Sequence, residues 1–197
     1  MKYVKKTYHR NLIERELKNN AHLIKGSILD IGSKDRKYDH LFSGKVTACD
    51  IKPDREKDII EENVISLSFD NKSFDACLCL EVLEYLDVND FKKALMEIRR
   101  VTKGMCLITL PFCYKDHEDK LRVTFSYLES ILKEMNIDYE IKKIGNRFTS
   151  SYDVTRYSFL KNRLVFPLLL LKFLLIKIFS LDKKQDDFYS GLFIKLL

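Results

Sequence analysis

The chain has 197 residues, which is enough for one domain with a full hydrophobic core and too few for two ordinary domains and a linker. Hydrophobic residues make up 46% and charged residues 32%, a globular composition that excludes a fibrous or wholly disordered chain. The formal net charge is +6, but the basic residues are scattered among 29 acidic ones, a pattern that disfavours nucleic acid and leaves an anionic membrane surface as the better-suited partner.

The start of the chain and the cysteines indicate the compartment. The chain turns polar within its first ten residues and contains neither an apolar stretch nor a small-residue cleavage site there. We therefore expect a cytoplasmic protein without a secretory signal. Four of the five cysteines lie in apolar runs typical of buried strands, where a thiol packs as a small hydrophobic group. Cys77 and Cys79 would point the same way on a strand, but no second pair follows at zinc-site spacing. We therefore expect no metal site.

Apolar runs that end in glycine, an acid or proline alternate with helical patterns. An opening helix is predicted at about 11–24, where apolar residues recur every three to five positions. Further helices are predicted at 82–103, which Gly104 can end, and at 125–135, which Thr124 can cap. The predicted strands are 27–32, 46–50, 58–63, 73–80, 105–110, 139–144 and 188–195.

This order of elements predicts one α/β domain over 1–197, with a doubly wound, mostly parallel seven-stranded sheet and helices on both faces. In such sheets, ligands bind outside the carboxyl ends of the strands, near the point where the strand order reverses. Asp50 ends the second strand, about twenty residues after the acidic loop that follows the first, a position that suits a carboxylate binding both ribose hydroxyls. A solvated aspartate at a strand end is the alternative.

The loop after the first strand contains a single glycine. Gly32 permits either close approach of the backbone to a ligand or a turn with positive φ. The residues that follow, 33–36, do not complete a G-x-G-x-x-G pattern. The sequence therefore disfavours a pyrophosphate cradle and with it NAD or FAD.

Three stretches together resemble the ordered motifs of class I S-adenosylmethionine-dependent methyltransferases. They are residues 28–33, Asp50, and residues 67–75 leading into the L-E-V-L-E run at 80–84. The resemblance covers roughly residues 25–130 and extends to the methyltransferase type 11 group found in surface-polysaccharide synthesis clusters. It implies a Rossmann-like methyltransferase fold, S-adenosylmethionine as the cofactor and methyltransferase activity.

The same resemblance implies a cofactor site with four parts. Asp30, Gly32 and Ser33 would face the methionine part, and Asp50 would hold the ribose. Glu62 and Asn63 would flank the adenine, and Leu80 and Glu81 would close over the methionine side. Two departures stand out: Lys34 and Arg36 replace further glycines, and Tyr85 replaces a histidine. Lys34 could pair with the cofactor carboxylate, or its bulk could block the approach that a glycine allows.

Methyl transfer to a hydroxyl requires alignment of the acceptor and removal of its proton. His117, in the loop after the fifth strand, is the candidate general base, although its polar surroundings are equally typical of a surface histidine. Arg122 and Thr124 resemble an R-x-T element of these methyltransferases. Arg122 and Tyr114 are the candidate substrate-binding residues, with Arg122 suited to an anionic acceptor.

The most apolar window, 164–181, approaches the length that crosses a bilayer. The strand predicted after it belongs to the same sheet as the strand before it, so a single crossing is topologically excluded. We expect a helix within 162–184, inserted between the last two strands, that either lies in the membrane interface or forms a buried or homodimer contact through 164–181. The basic residues expected near lipid phosphates are Lys161, Arg163, Lys172, Lys177, Lys183 and Lys184.

The combined prediction is a methyltransferase that lies peripherally at the cytoplasmic leaflet. Its acceptor would be a glycan hydroxyl on a small or lipid-linked molecule. The alternative is a non-catalytic binding or scaffold protein that keeps the fold with a degenerate cofactor loop.

Overall fold

A computed structural model describes residues 6–159, 166–184 and 187–197. The strands are β1 (Ser27–Ile31), β2 (Lys45–Asp50), β3 (Ile59–Glu61), β4 (Ala76–Leu80), β5 (Cys106–Pro111), β6 (Tyr139–Ile144) and β7 (Gly191–Leu196). The α-helices are α1 (Tyr8–Asn20), α2 (Val88–Val101), α3 (Phe125–Glu134), α4 (Arg147–Phe159) and α5 (Phe166–Ile178).

The strands form one seven-stranded sheet in the order β3-β2-β1-β4-β5-β7-β6. Every neighbouring pair is parallel except those of β7, which runs antiparallel to both β5 and β6. The predicted doubly wound, mostly parallel seven-stranded sheet is therefore confirmed. The strand order reverses at β1, which pairs with β2 on one side and β4 on the other.

The helices are fewer at one end of the sheet than the alternating pattern predicts. Within residues 32–44, 51–58 and 62–75, which connect β1 to β4, the structure contains short 3₁₀ turns and no α-helix. The predicted helix over 82–103 is also shorter, because a 3₁₀ turn at Leu83–Tyr85 comes first and the Asp87 side chain then accepts the N–H of Asp90. Helix α2 therefore begins only at Val88.

Two hydrophobic layers cover the sheet. On one face, α2 and α3 bury residues such as Phe91 and Leu132 against the strands. On the other face, α1 buries Leu12 and Leu17 together with the turn around Phe42. As predicted, Thr124 caps α3, since its hydroxyl accepts the N–H of Tyr127 at 3.2 Å.

Helices α4 and α5 form a third, smaller cluster at the start of α1. Tyr8 packs between Tyr152 of α4 and Phe173 of α5, with ring centroids 5.2 and 5.7 Å away. The chain after α5 returns to the start of α4, where the Asn146 amide donates to the carbonyls of Leu181 and Lys184. Helix α4 was not predicted from the sequence.

The predicted apolar helix corresponds to α5, although residues 162–165 of the predicted segment lie outside the described residues. One side of α5 packs on α4, and the apolar face of α5 points away from the protein. That face consists of Leu168, Leu171, Leu174, Leu175 and Ile178, continued by Phe179. Across residues 6–159, 166–184 and 187–197, no helix has the length and apolarity needed to span a membrane.

The lysines of α5 are engaged within the protein. The Lys172 ammonium donates to the Ser151 carbonyl and to the Thr155 hydroxyl on α4, at 3.0 and 2.8 Å. Lys177 pairs with Asp182. Of the basic residues predicted to lie near lipid phosphates, Lys183 and Lys184 are exposed, and Lys161 and Arg163 lie outside the described residues.

Candidate functional site

The predicted cofactor residues lie along one edge of the sheet. Strands β2, β1 and β4 are parallel neighbours, so the polar residues that follow each strand reach the same carboxyl edge. Asp50, the Gly32 turn and Glu81 are thus brought side by side. A separate cavity of about 350 Å³, lined by Met96, Met135 and Leu197 among others, contains none of the predicted site residues.

Gly32 makes a tight turn that no other residue fits without displacement. Its φ is +71°, and a Cβ at this position would lie 2.2 Å from Cγ2 of Val82. The N–H groups of Gly32 and Ser33 both donate to the Cys49 carbonyl, at 2.8 and 3.0 Å. The backbone of this turn is therefore hydrogen-bonded to β2 and packs closely against Val82.

The two non-glycine departures in the loop adopt the backbone conformation that glycine favours. Lys34 and Arg36 have φ values of +51° and +50°, in the left-handed region. Lys34 is exposed, whereas the Arg36 guanidinium donates to the carbonyls of Val46 and Asp58 and pairs with Asp39. Arg36 thereby ties the loop to β2 and to the connection between β2 and β3. A longer βαβ unit would have a helix in such a connection.

Asp50 is partly exposed at the end of β2. One of its oxygens accepts the N–H of Lys52 at 3.0 Å. The next residue, Ile51, is 66% exposed and offers an apolar surface beside the carboxylate. Glu62 and Asn63 close the following turn, since the Glu62 carboxylate accepts the N–H of Ser68 and the Asn63 side chain accepts that of Ile65.

Asp30 is one of the buried carboxyl groups at this edge. It is 5% exposed near the end of β1, and burial raises its pKa to about 7. Ser33 is buried as well, and its hydroxyl has no hydrogen-bond partner within the described part of the chain. Leu80, the last residue of β4, packs against the α1 side of the core.

Glu81 directs its carboxylate toward α1. Its Oε2 lies 3.1 Å from Nε2 of His9, a fully buried residue in the first turn of α1. Burial alone would raise the pKa of Glu81, but the opposing effects of His9, the Thr109 hydroxyl and Arg10 hold it below its ordinary value. The other oxygen, Oε1, is buried without a hydrogen-bond partner among residues 6–159, 166–184 and 187–197.

His117 has a defined orientation in the loop after β5. Its Nδ1 lies 3.0 Å from the Lys115 carbonyl and 3.0 Å from the Asp119 carboxylate, which accept hydrogen bonds, and 3.4 Å from the Arg122 guanidinium, which donates them. The two closer contacts favour a hydrogen on Nδ1, which leaves the lone pair on Nε2. The ring lies edge to face with Tyr85 and Tyr114, at centroid distances of 5.5 and 5.6 Å.

Arg122 organises the loop that carries His117. Its guanidinium pairs with Asp119 and donates to the carbonyls of Phe112, Tyr114 and Lys115, at 2.6, 3.2 and 3.0 Å. This arginine holds the pKa of Asp119 well below its usual range. All of its N–H groups face the loop, so contact with an anionic acceptor would require it to exchange one of these partners.

Tyr114 and Arg122 both contact His117. The Tyr114 ring lies between His117 and His9, 5.6 Å from each, and its hydroxyl interacts with Arg10. Tyr114 thus joins the loop between β5 and α3 (residues 112–124), here named the acceptor loop, to the first turn of α1. The two predicted substrate residues therefore border the same space as His117.

The sequence analysis missed two buried titratable residues. Glu84 is fully buried, and both of its carboxylate oxygens lack hydrogen-bond partners in the described ranges. Burial raises its pKa to about 8. His9 lies far from the motifs in sequence, so no local pattern links it to Glu81. Glu84, by contrast, stands within the L-E-V-L-E run and could have been singled out as a charge in an otherwise apolar stretch.

Comparison with known proteins agrees with this arrangement. A family model described as a methyltransferase domain matches residues 29–108, which hold every predicted cofactor residue. No curated protein matches the chain.

Solved structures share the fold at low sequence identity. A SAM-dependent methyltransferase from Archaeoglobus fulgidus has a TM-score of 0.64 at 16% identity, covering 95% of this chain and 93% of that one. Phosphoethanolamine N-methyltransferase 2 from Haemonchus contortus, in complex with S-adenosyl-L-methionine, has a TM-score of 0.57 at 16% identity, covering 88% and 49%. The [4+2]-cyclase SpnF has a TM-score of 0.59 at 14% identity, covering 93% and 78%.

The fold alone does not define the reaction, since a protein described as a cyclase also has it. The domain match adds a similarity in sequence over residues 29–108 to that fold. Together they support the enzyme class and cofactor predicted from the sequence: a methyltransferase that uses S-adenosylmethionine.

Proposed function

We propose that this protein transfers a methyl group from S-adenosylmethionine to a hydroxyl of a small or lipid-linked glycan. The observation that carries the proposal is the alignment of the Gly32 turn, Asp50 and Glu81 at one sheet edge, with His117 on the adjoining loop. Methyltransferases require a cofactor site and an acceptor site that meet, and these groups adjoin one another.

The residues present fit the cofactor. Asp50 has a partly exposed carboxylate for the ribose hydroxyls, and exposed Ile51 offers an apolar surface for the base. Glu62 and Asn63 follow the adjacent strand, on the side proposed for the adenine. Glu81, with a buried oxygen that has no hydrogen-bond partner within the described ranges, suits the positively charged amino-acid end.

The cofactor, when bound, supplies a methyl group activated by a sulfonium. The chain itself has to orient the acceptor and remove its proton. Asp119 and the Lys115 carbonyl hold Nδ1–H of His117, leaving Nε2 as the proton acceptor. Tyr114 and Arg122 would bind the acceptor beside this ring.

The left-handed backbone of Lys34 favours this enzyme over the scaffold alternative. Arg36 gains bonds to Val46, Asp58 and Asp39 that offset its conformation, whereas exposed Lys34 keeps a backbone that costs about 1–2 kcal/mol, which a loop without a ligand has no need to retain. Lys34 points to solvent, which favours an open approach to the Gly32 turn.

Calorimetry with S-adenosylhomocysteine tests the proposal. We expect micromolar binding to the wild type, about 8 kcal/mol, and loss of most of that affinity in Asp50→Ala. Asp70→Ala, which removes an exposed aspartate outside the site, is the matched control and should bind like the wild type. An absence of binding heat with the wild type would favour the scaffold alternative.

We further propose that the protein acts peripherally at the cytoplasmic leaflet, with the apolar face of α5 in the lipid interface. Leu168, Leu171 and Ile178 are 63%, 53% and 70% exposed, and exposed Lys183 and Lys184 follow the helix. Lys172 and Lys177 are held within the protein, so they do not interrupt this face.

The position of α5 suits a lipid-linked acceptor. Its inner side packs on Tyr8, and the adjacent residue His9 contacts Glu81 at the sheet edge. A substrate anchored in the leaflet beneath α5 would therefore present its glycan close to His117 and Tyr114.

Vesicle flotation tests the membrane contact. Wild-type protein should float with phosphatidylglycerol–phosphatidylethanolamine vesicles, and Leu171→Glu/Leu175→Glu should not, while both bind S-adenosylhomocysteine equally. Met96→Glu, at a 56% exposed position on α2, is the control. A wild type that is dimeric by light scattering and fails to float, with a monomeric double variant, would instead assign this face to a homodimer.

A further inference from the structure

His9 fills a buried position between three elements at the sheet edge. Its Nδ1 lies 2.9 Å from the Ser190 hydroxyl, just before β7, and its Nε2 lies 3.1 Å from Glu81. Gly191 leaves room for the ring, since a Cβ there would lie 2.5 Å from Cε1 of His9. The imidazole thus links α1 to the ends of β4 and β7.

The hydrogen-bond partners define the orientation of this ring. The Ser190 hydroxyl lies between Nδ1 of His9, at 2.9 Å, and the Ile144 carbonyl, at 3.0 Å, and that carbonyl also accepts the N–H of Ser190 at 2.8 Å. Nε2 faces a carboxylate oxygen, which only accepts. His9 therefore donates from Nε2 to Glu81, whose pKa is lowered, across a buried contact of 3.1 Å.

The backbone around His9 is anchored as firmly as its side chain. The Asp153 carboxylate on α4 accepts the N–H groups of Tyr8 and His9 at 2.8 and 2.9 Å, and Thr7 caps the helix through the N–H of Arg10. His9 consequently cannot withdraw from Glu81 without displacement of the first turn of α1.

Glu81 has an unusual backbone conformation. Its φ is +60°, a value that residues with a side chain rarely adopt, and Oε2 points to His9. The Thr109 hydroxyl lies beside the carboxylate and helps to lower its pKa, but neither that hydroxyl nor Glu81 Oε1 has a partner at full hydrogen-bond geometry in the described ranges, and both are buried. The side chain of Glu81 is 23% exposed, so part of it borders the site, although Oε1 itself is covered.

We propose that His9 is a positioning residue that fixes the ionised Glu81 so that Oε1 accepts a hydrogen bond from the α-ammonium group of the cofactor. An ammonium group has three hydrogen-bond donors and a positive charge. One of its donors would satisfy the buried carboxylate oxygen, and the charge would strengthen that hydrogen bond. This inference rests on the proposed function. It goes beyond it by assigning a role in cofactor binding to the amino-terminal helix, outside the region that matches the domain family.

A pair of ligands separates the amino-acid end of the cofactor from its nucleoside end. S-adenosylhomocysteine has both parts, whereas 5′-methylthioadenosine keeps the nucleoside and the sulfur but lacks the amino acid. The measurement is the affinity of each ligand, by calorimetry, for the wild type, His9→Gln and His9→Phe. His22→Gln, at an exposed position after α1, is the matched control.

We expect His9→Phe to weaken S-adenosylhomocysteine about tenfold, equivalent to about 1.4 kcal/mol, and to change methylthioadenosine less than twofold. His9→Gln, which retains a donor toward Glu81, should lie between the wild type and His9→Phe. In a Glu81→Gln background the further effect of His9→Phe should largely disappear, because the two residues act through one contact.

The outcomes distinguish the two proposals. Equal loss of both ligands in His9→Phe, or no loss of either, would overturn the positioning role while leaving the proposed function intact. Failure of the wild type to bind either ligand would overturn the proposed function and this inference together. Retained binding of methylthioadenosine also shows that a variant is folded, so a weak S-adenosylhomocysteine signal cannot be attributed to misfolding.

Discussion

Nε2 of His117 lies 3.6 Å from Oε1 of Glu84, a carboxyl group that is fully buried. The backbone carbonyl of Glu84 also accepts the N–H groups of Lys120 and Leu121, at 2.8 and 3.0 Å. One residue thus fixes the far end of the acceptor loop and faces the basic nitrogen of the candidate general base. Glu81, Asp119 and Arg122 surround the same carboxyl group.

The free energy of unfolding should fall as pH rises from about 4.5 to about 8. Glu84 has a pKa of about 8 in the folded protein against an ordinary value of 4.5, so in this range the native state binds more protons than the unfolded state. Its contribution is fully present below pH 4.5 and is lost as pH rises through 8. Asp30, with a pKa of about 7, adds a slope of the same sign.

Urea denaturation at pH 5, 6, 7 and 8 measures this dependence. Glu84→Gln should reduce the decline by at least about 1 kcal/mol, since each unit of pKa difference corresponds to about 1.4 kcal/mol. The exposed Glu118→Gln should keep the wild-type slope. A decline as steep in Glu84→Gln as in the wild type would show that Glu84 ionises normally.

The same substitution should have opposite effects at two positions of the first loop. Lys34→Gly relieves a left-handed backbone at an exposed residue and should stabilise the protein by about 0.5 kcal/mol. Arg36→Gly relieves the same strain but removes the bonds to Val46, Asp58 and Asp39, and should destabilise it by about 1–3 kcal/mol. Chemical denaturation measures both, and equal signs would contradict this account of Arg36.

Gly32→Ala should destabilise the protein by about 2 kcal/mol or more, because of both the positive φ and the collision with Val82. Val82→Ala removes the methyl group at 2.2 Å and leaves the nearest Val82 carbon at 3.4 Å, an ordinary contact. In a double-mutant cycle, Gly32→Ala should therefore cost less in the Val82→Ala background. An unchanged cost would assign the whole effect to backbone strain.

Arg122→Gln should loosen the acceptor loop without weakening cofactor binding. The substitution removes the ion pair with Asp119 and donors to three loop carbonyls. Limited trypsin digestion followed by mass spectrometry should show several-fold faster cleavage after Lys115 and Lys120, with cleavage after the exposed Lys133 unchanged. Affinity for S-adenosylhomocysteine should remain within twofold of the wild type.

The strands were predictable because each is a short apolar run between polar residues. β6 matches its predicted bounds, and the other strands differ from theirs by up to three residues at an end. Helix coverage was harder to predict, since the connections between β1 and β4 are stabilised by single side chains such as Arg36. The late start of α2 depends on Asp87, which the apolar periodicity of 82–103 obscured.

The candidate site also has parts that the sequence predicts and parts that it does not. Asp50 and Glu81 follow directly from strand ends, so the sequence could bring them to one edge once the sheet was predicted. Thr124 likewise caps α3 as its position in the sequence indicated. The partners of the site residues could not be found in this way, because His9 and Glu81 are separated by 72 positions and meet only when α1 packs on the sheet.

The sequence by itself determined the class of fold, the order of its strands along the chain and the edge at which a ligand would bind, since these follow from local apolar patterns and from residue types at strand ends. Only the tertiary structure decided which buried groups contact one another: His9 with Glu81, Glu84 with His117, and Arg36 with Val46 and Asp58. The physical reason is that hydrogen bonds and ion pairs act over a few ångströms in space, and packing brings together residues that the chain keeps apart.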